Sequence, residues 1–253
     1  MTEEAALALQ PGSFSPGRTL STSLGVLGRN FVPFLIITLI ISLPYIAIQT
    51  WLDILSAQAA ATPRGEPGSL TSANYAMVWV QIITFALVQA ALTYGTVQDL
   101  HGRRASIGDC FGKGLGRSGS IVGGAVKYGF LLGLATLLLI IPGLLLYLRW
   151  WVFIPAMVVE DLGSSAAFAR SKALTSGRRW AIFGLVALIF VVEMAAIFGS
   201  AIVVNDGVTM SIVVTLIAVL FTTVSSVVAA VGYYHLRVEK EGVLIEDIAA
   251  VFD

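Results

Sequence analysis

Charge, cysteine and histidine are what this sequence has least of. Only 12% of its 253 residues are Asp, Glu, Lys or Arg, against 57% hydrophobic ones. A water-facing surface of ordinary polarity cannot be built from that composition. The single cysteine, Cys110, excludes an internal disulfide and any cysteine-based metal cluster, and reads as a small apolar filler. The two histidines, His101 and His235, lie far apart in sequence. With no His-x-x-x-His, no paired cysteine and no glycine-rich phosphate loop after a strand, metal and nucleotide sites have no ligands. No cofactor, no metal site and no catalytic residue is therefore expected, and the chain reads as non-enzymatic. Met1 to Asn30 is acidic at Glu3 and Glu4 and then rich in Pro, Gly and Ser. It lacks a basic start, an apolar core and a cleavage site, so no cleaved signal peptide is expected.

What the sequence has in abundance is apolar runs near 20 residues, with a mean hydropathy of +0.88. These predict an all-helical integral membrane protein of six transmembrane helices. The spans read as Phe31 to Leu52, Tyr75 to Val97, Ile121 to Ile141, Leu144 to Val159, Trp180 to Val204 and Val208 to Leu236. Pro44 is expected to kink the first span. Pro142-Gly143 and Asn205-Asp206-Gly207 read as minimal turns between spans three and four and between five and six. The polar stretch Asp53 to Asn74 is the one long loop on its side, so the spans group as three hairpins closing on the same side.

Thirteen of the fifteen Lys and Arg residues fall on the opposite side from those turns. Arg64 is across the membrane from them and Arg149 is inside a span. Short loops rich in Lys and Arg stay cytoplasmic, so both termini are expected inside, with a bacterial inner membrane as the simplest setting.

The cytoplasmic segments also repeat. TSLGVLGRNF, IGDCFGKGLGRSGS and SAAFARSKALTSGRRW precede the odd spans, each with apolar residues at helical spacing. Each is expected to be an amphipathic helix at the inner interface. Each even span leaves through an acidic turn, in VQDLHGRRAS, VVEDLGSS and LRVEKEGVLIED. The organisation is thus a single membrane domain over 1–253 with a possible threefold pseudo-repeat. It comprises an N-terminal segment 1–30 with an interfacial helix, hairpin 1 at 31–104, an interfacial helix and hairpin 2 at 105–161, a further interfacial helix and hairpin 3 at 162–236, and a cytoplasmic tail 237–253.

Candidate sites follow from ionisable and amide groups within spans. Arg149, Glu193 and Lys127 are costly in hydrocarbon and are expected to face the bundle interior with partners. Counting ~1.5 Å per residue from the outer turns places Arg149 ~9 Å and Glu193 ~18 Å deep, so an ion pair between them is the preferred reading. A polar cavity for transport or lipid headgroups, and outward snorkelling of Arg149, are the alternatives. Gln81 and Gln89, eight apart, share a helix face and either line the same interior or bond between helices. Arg29, Lys113, Arg117, Arg170, Lys172, Arg178 and Arg179 are candidate contacts to lipid headgroups, worth about 1 kcal/mol per charge. Glu160 and Asp161 are expected to sit beside a helix N-terminus capped by Ser164 or Ser165, and to pair locally with Arg170 and Arg178. The paired serines Ser164-Ser165 and Ser225-Ser226 and the glycines from Gly112 to Gly124 read as residues that let helices approach closely. The tail VLIEDIAAVF spaces apolar and acidic residues helically and suits folding under the bundle or docking a partner.

The run IPGLLLYLRWWVFIPAMVVEDLGSSAAFARSKALTSGRRWAIFGLVALI, Ile141 to Ile189, and the later GYYHLRVEKEG, Gly232 to Gly242, carry a resemblance. They resemble the six-span membrane domain found beside glycerophosphodiester phosphodiesterase domains, and the stand-alone YciC-like bacterial inner-membrane proteins of that superfamily. The resemblance covers the C-terminal half well and the first hairpin poorly. It implies a membrane component without an established general activity. Expected partners are membrane phospholipids, with a protein partner or a second copy of the chain left open, and no nucleic acid. The leading expectation is lipid handling or envelope maintenance. A small-solute transporter or channel with a polar intramembrane site is the alternative, and a scaffold recruiting a partner at the cytoplasmic face is a third.

Overall fold

The computed structural model describes residues 14–60, 68–104, 106–204 and 207–242. All regular structure within them is helical: α1 Pro16–Ala60, α2 Gly68–Leu100, α3 Ile107–Gly112, α4 Ser118–Leu138, α5 Ile140–Arg149, α6 Phe153–Val159, α7 Ser164–Leu174, α8 Arg179–Val203 and α9 Gly207–Glu241. Six segments are long and apolar enough to cross a membrane: Pro16–Leu55, Tyr75–Leu100, Ser118–Leu138, Ile140–Val159, Arg179–Val203 and Thr209–Glu241. The fourth is made of α5 and α6 together. Arg64, Asn205-Asp206 of the predicted turn between spans five and six, and the tail VLIEDIAAVF lie outside the described residues.

Packing follows chain order: α1 lies on α2, α4 on α5 and α8 on α9, while α9 also packs on α1 and α2 at the centre. α8 is peripheral, with only Ile182 and Leu185 buried, whereas α2 from Val88 to Gln98 and α9 from Ser226 to Leu236 are buried without interruption. Close approach at the centre depends on absent side chains. A Cβ on Gly95 would meet Phe34 at 2.7 Å, and one on Gly232 would overlap the Trp151 indole.

Three local features depart from the sequence reading. In α1 the non-helical residue is Asn30 (φ −125°, ψ 20°), while the backbone at Pro44 keeps helical angles. The turn between spans three and four falls at Leu139 (φ −161°, ψ 139°), ahead of Pro142-Gly143. Pro142 is the third residue of α5, where a backbone N–H has no helical acceptor and its loss costs nothing. Gly143 instead lets α5 lie directly on Thr136. The third departure is in span four, which is interrupted at Trp150–Val152 between α5 and α6. Pro155, third in α6, cannot donate to the carbonyl of Trp151, so a continuous helix would lose a bond and meet the proline ring there.

Each predicted interfacial segment contains helix, in the second only over Ile107–Gly112 ahead of its span, and each meets its span at a joint of one conformation. Asn30 (−125°, 20°) lies within the first apolar helix, just ahead of the predicted span start at Phe31, and Arg117 (−116°, 35°) and Arg178 (−118°, 8°) stand at the starts of the third and fifth spans. Each joint carries a matching clasp. Arg29 pairs with Asp99 at 2.6 Å, Arg117 with Asp161, and Arg178 with Glu239 at 2.7 Å. In all three an arginine at the entrance to an odd span holds the carboxylate at the exit of the following even span.

α3 opens with a reciprocal cap, Ser106 Oγ accepting from the Asp109 amide at 3.0 Å and donating to the Asp109 carboxylate at 2.6 Å. This holds Cys110 inward, 1% exposed among Phe34, Ala91 and Leu92. Burial, with Asp109 adding, pushes the Cys110 thiol up to about 11. Near neutral pH the thiol is therefore protonated and shielded. We expect no maleimide labelling of Cys110 in the folded, detergent-solubilised protein and stoichiometric labelling after SDS unfolding. Rapid labelling of the folded protein would show that the α2–α3 contact opens.

Candidate functional site

Between α1, α2, α4, the α5–α6 break and α9 lies a cavity of about 890 Å³. α9 supplies one wall through Ser211, Thr215, Ala218, Thr222 and Ser225, a stripe at the three- and four-residue spacing of a single helix face. Ser42, Tyr45, Gln49 and Asp53 come from α1 and Gln81, Phe85 and Gln89 from α2. Aromatic rings dominate the remainder: Tyr128 on α4, and Tyr147, Trp150, Trp151 and Phe153 around the break. Tyr128 stacks on Phe153 with centroids 5.0 Å apart, and Phe153 on Phe168 at 4.8 Å, which fixes that wall.

The lining mixes hydroxyl and amide groups with ring faces and carries little charge. Asp53 is the one charged residue among the described residues that line it, and it accepts from Gln49 Nε2 at 3.0 Å. At the end marked by Gln89, Trp151 and Ala229 the cavity is closed by the buried stretches of α2 and α9 and by the Trp151–Gly232 contact. The break that presents Trp150 and Trp151 is held from outside the cavity. Ser171 Oγ donates to the Arg149 carbonyl at 3.1 Å and accepts from the Val152 amide at 3.3 Å, and Thr175 Oγ1 donates to the same carbonyl at 3.2 Å. Backbone groups freed by the interruption are thus satisfied by side chains of α7 and of its C-cap, Thr175.

The expected intramembrane residues separate. Gln81 and Gln89 line the cavity, whereas Arg149, Glu193 and Lys127 do not. Arg149 and Glu193 form no ion pair. Arg149 ends α5, its Nε buried without a hydrogen-bond partner, and Glu193 is half-buried on the peripheral α8. Depth along a helix does not fix which neighbour a side chain meets: Arg149 is the last residue of α5, ahead of the break, and Glu193 lies on the little-buried α8. The Lys127 amine bonds Ser165 Oγ at 3.0 Å and lies 5.6 Å from the Phe168 ring centroid.

At the helix ends that carry the clasps the predicted headgroup residues mostly engage the protein's own carboxylates. Besides the three clasps, Arg170 bridges Glu160 at 2.7 Å and Glu241, and Tyr233 donates to Glu160 at 2.6 Å. Arg237 reaches Glu241 at 3.1 Å. Of the remaining candidates, Lys113 lies 5.9 Å from the Tyr94 ring centroid, Lys172 is exposed, and Arg179 has its Nε buried without a hydrogen-bond partner. Glu160 pairs locally with Arg170 as expected, whereas Asp161 meets the distant Arg117, and Arg178 goes to Glu239 instead. The helix after Asp161 is not capped by Ser164 or Ser165, since its N-cap is Gly163, which has no side chain to offer.

The cavity residues that sequence reasoning passed over had a visible signal in one case. Ser211, Thr215, Thr222 and Ser225 place hydroxyls along one face of an apolar span. The aromatic wall had none, because its rings converge from three separate helices. Among the described residues no three His, Cys, Asp or Glu side chains gather as a metal site would require. No family model, curated protein or solved structure matches this chain.

Proposed function

We propose that this chain is a non-enzymatic, multi-pass protein of a bacterial inner membrane, both termini cytoplasmic, that holds an amphipathic, lipid-like molecule between its helices in lipid handling or envelope maintenance. The cavity carries this reading. At about 890 Å³ it falls within the usual roughly 300–1,000 Å³ of a site for one small molecule. Ring faces suit an apolar body, and hydroxyl and amide groups at fixed positions suit the polar groups of a neutral head. Absence of Lys, Arg and His from the described lining disfavours a bare anion there. The three like joints and three like clasps support a threefold repeat of interfacial helix and hairpin. That arrangement and the resemblance to the membrane domain beside glycerophosphodiester phosphodiesterases belong to the same proposal.

The test is lipid retention. The full chain, purified in mild detergent, is expected to carry about one equivalent of a tightly held amphipath by native mass spectrometry, lowered when Gln89 and Gln81 are both replaced by Leu. A protein that never retains such a molecule, from any membrane source, would refute the reading.

A transport reading has one observation in its favour. The interrupted span places Trp150 and Trp151 at the cavity's closed end, and broken helices at binding sites are a common transporter device. Flux of the retained molecule across proteoliposomes, lost on Gly232→Leu, separates a carrier from a binding protein.

A further inference from the structure

Lys127 points to a second site, away from the central cavity. It lies on α4 beside a groove of about 550 Å³ formed with Trp79, Gly123, Val126 and Phe130. Trp79, Val126 and Phe130 are 38%, 42% and 60% exposed, so in a membrane the groove opens to acyl chains rather than to the bundle interior. Its floor is open because a Cβ on Gly123 would meet no atom within 4 Å. The side chain of Lys127 is itself exposed. Its contacts are a neutral hydroxyl, Ser165 Oγ, and the face of Phe168, and among the described residues no carboxylate lies within ion-pair distance. An ammonium at the edge of hydrocarbon with only a neutral hydroxyl and a ring for company is poorly compensated. Arg29, Arg117, Arg170 and Arg178, near other helix ends, each have a protein carboxylate. Ser165 belongs to the first turn of α7, which has no side-chain cap, and its dipole end adds to the positive potential.

We propose that the Lys127 groove binds an anionic phospholipid, the phosphate on the Lys127 ammonium and Ser165 hydroxyl and one acyl chain along Gly123, Val126 and Phe130 against Trp79. Charge complementarity selects the lipid, and the apolar groove holds its chain.

Trp79 serves as the reporter. Full-length protein is placed in phosphatidylcholine nanodiscs, and acyl-brominated phosphatidylglycerol or acyl-brominated phosphatidylcholine is titrated in. The Trp79 signal is the difference between the native chain and Trp79→Phe. We expect half-maximal quenching at about fivefold lower mole fraction for phosphatidylglycerol, as one partly screened charge contact implies. The preference should vanish in Lys127→Gln and survive in Lys127→Arg. Gly123→Leu fills the groove without altering charge and should weaken quenching by both lipids. Equal quenching by the two lipids in the native chain overturns the proposal. A Lys127→Gln protein that keeps both its elution profile and its preference does so as well.

Discussion

Replacing Ala218 by Trp is expected to strip the protein of its retained amphipath while leaving the fold in place. Ala218 lies mid-way along the hydroxyl stripe of α9 and its side chain is exposed, opening into the cavity. An indole there occupies space the ligand needs and displaces no packed neighbour, unlike a change at Val219 beside it, 5% exposed. A site of this size holds its ligand largely through buried surface, so obstructing its middle should lower lipid retention at least about tenfold. The measurement is lipid extracted per mole of protein, with thermal stability followed in parallel. Unchanged retention with an unchanged melting profile would place the bound molecule elsewhere, and Trp79 quenching then tests the Lys127 groove separately.

Loss of Arg170 is expected to be the most damaging single change at the helix ends that carry the clasps. Its guanidinium joins Glu160, at the exit of span four, to Glu241, at the end of α9, and Glu160 also accepts from Tyr233. The side chains are 23%, 16% and 27% exposed for Arg170, Glu160 and Glu241. Arg170→Ala leaves two half-buried carboxylates facing one another with Arg237 as their remaining cation. Breaking a fully buried pair costs about 3–5 kcal/mol, and the residual exposure here lowers that to about 2–3 kcal/mol. Glu160→Gln, which keeps a hydrogen-bond acceptor for Tyr233, should cost closer to about 1 kcal/mol. Added to Arg170→Ala, it should recover part of the loss by removing a stranded charge. SDS-driven unfolding of the folded protein measures all three. Additive losses would show that Arg170 and Glu160 act independently.

Neither prediction was available from residue spacing alone. The clasps illustrate how far spacing reaches. Arg29, Arg117 and Arg178 stand at equivalent places before odd spans, and Asp99, Asp161 and Glu239 follow even spans, so a basic entry and an acidic exit recur in the sequence. Their mutual pairing required the helices to return to the same level beside one another. Arg149 shows the opposite case. A charge inside an apolar run was legible, but its expected pairing with Glu193 required two side chains on different helices to meet, which spacing does not show. Pro155 was the overlooked signal, since its missing N–H favours a break at Trp150–Val152. That break turns two tryptophans toward the cavity and leaves Arg149 elsewhere.

What the sequence determined by itself is the periodic and compositional part: six apolar helices, the segregation of basic residues, the helical segments that precede odd spans, and the face shared by Gln81 and Gln89. These are local consequences of hydrophobic length, helical spacing and charge cost. Tertiary structure alone decided which carboxylate each arginine meets and where span four breaks its ladder. It also decided that hydroxyls of α9 and aromatic rings of α4, α5 and α6 surround one volume. Residues far apart in sequence, from Ser42 on α1 to Ala229 on α9, thus share one cavity wall. Their geometry depends on how small residues such as Gly95 and Gly232 let particular helices approach, and a one-dimensional pattern does not carry that information.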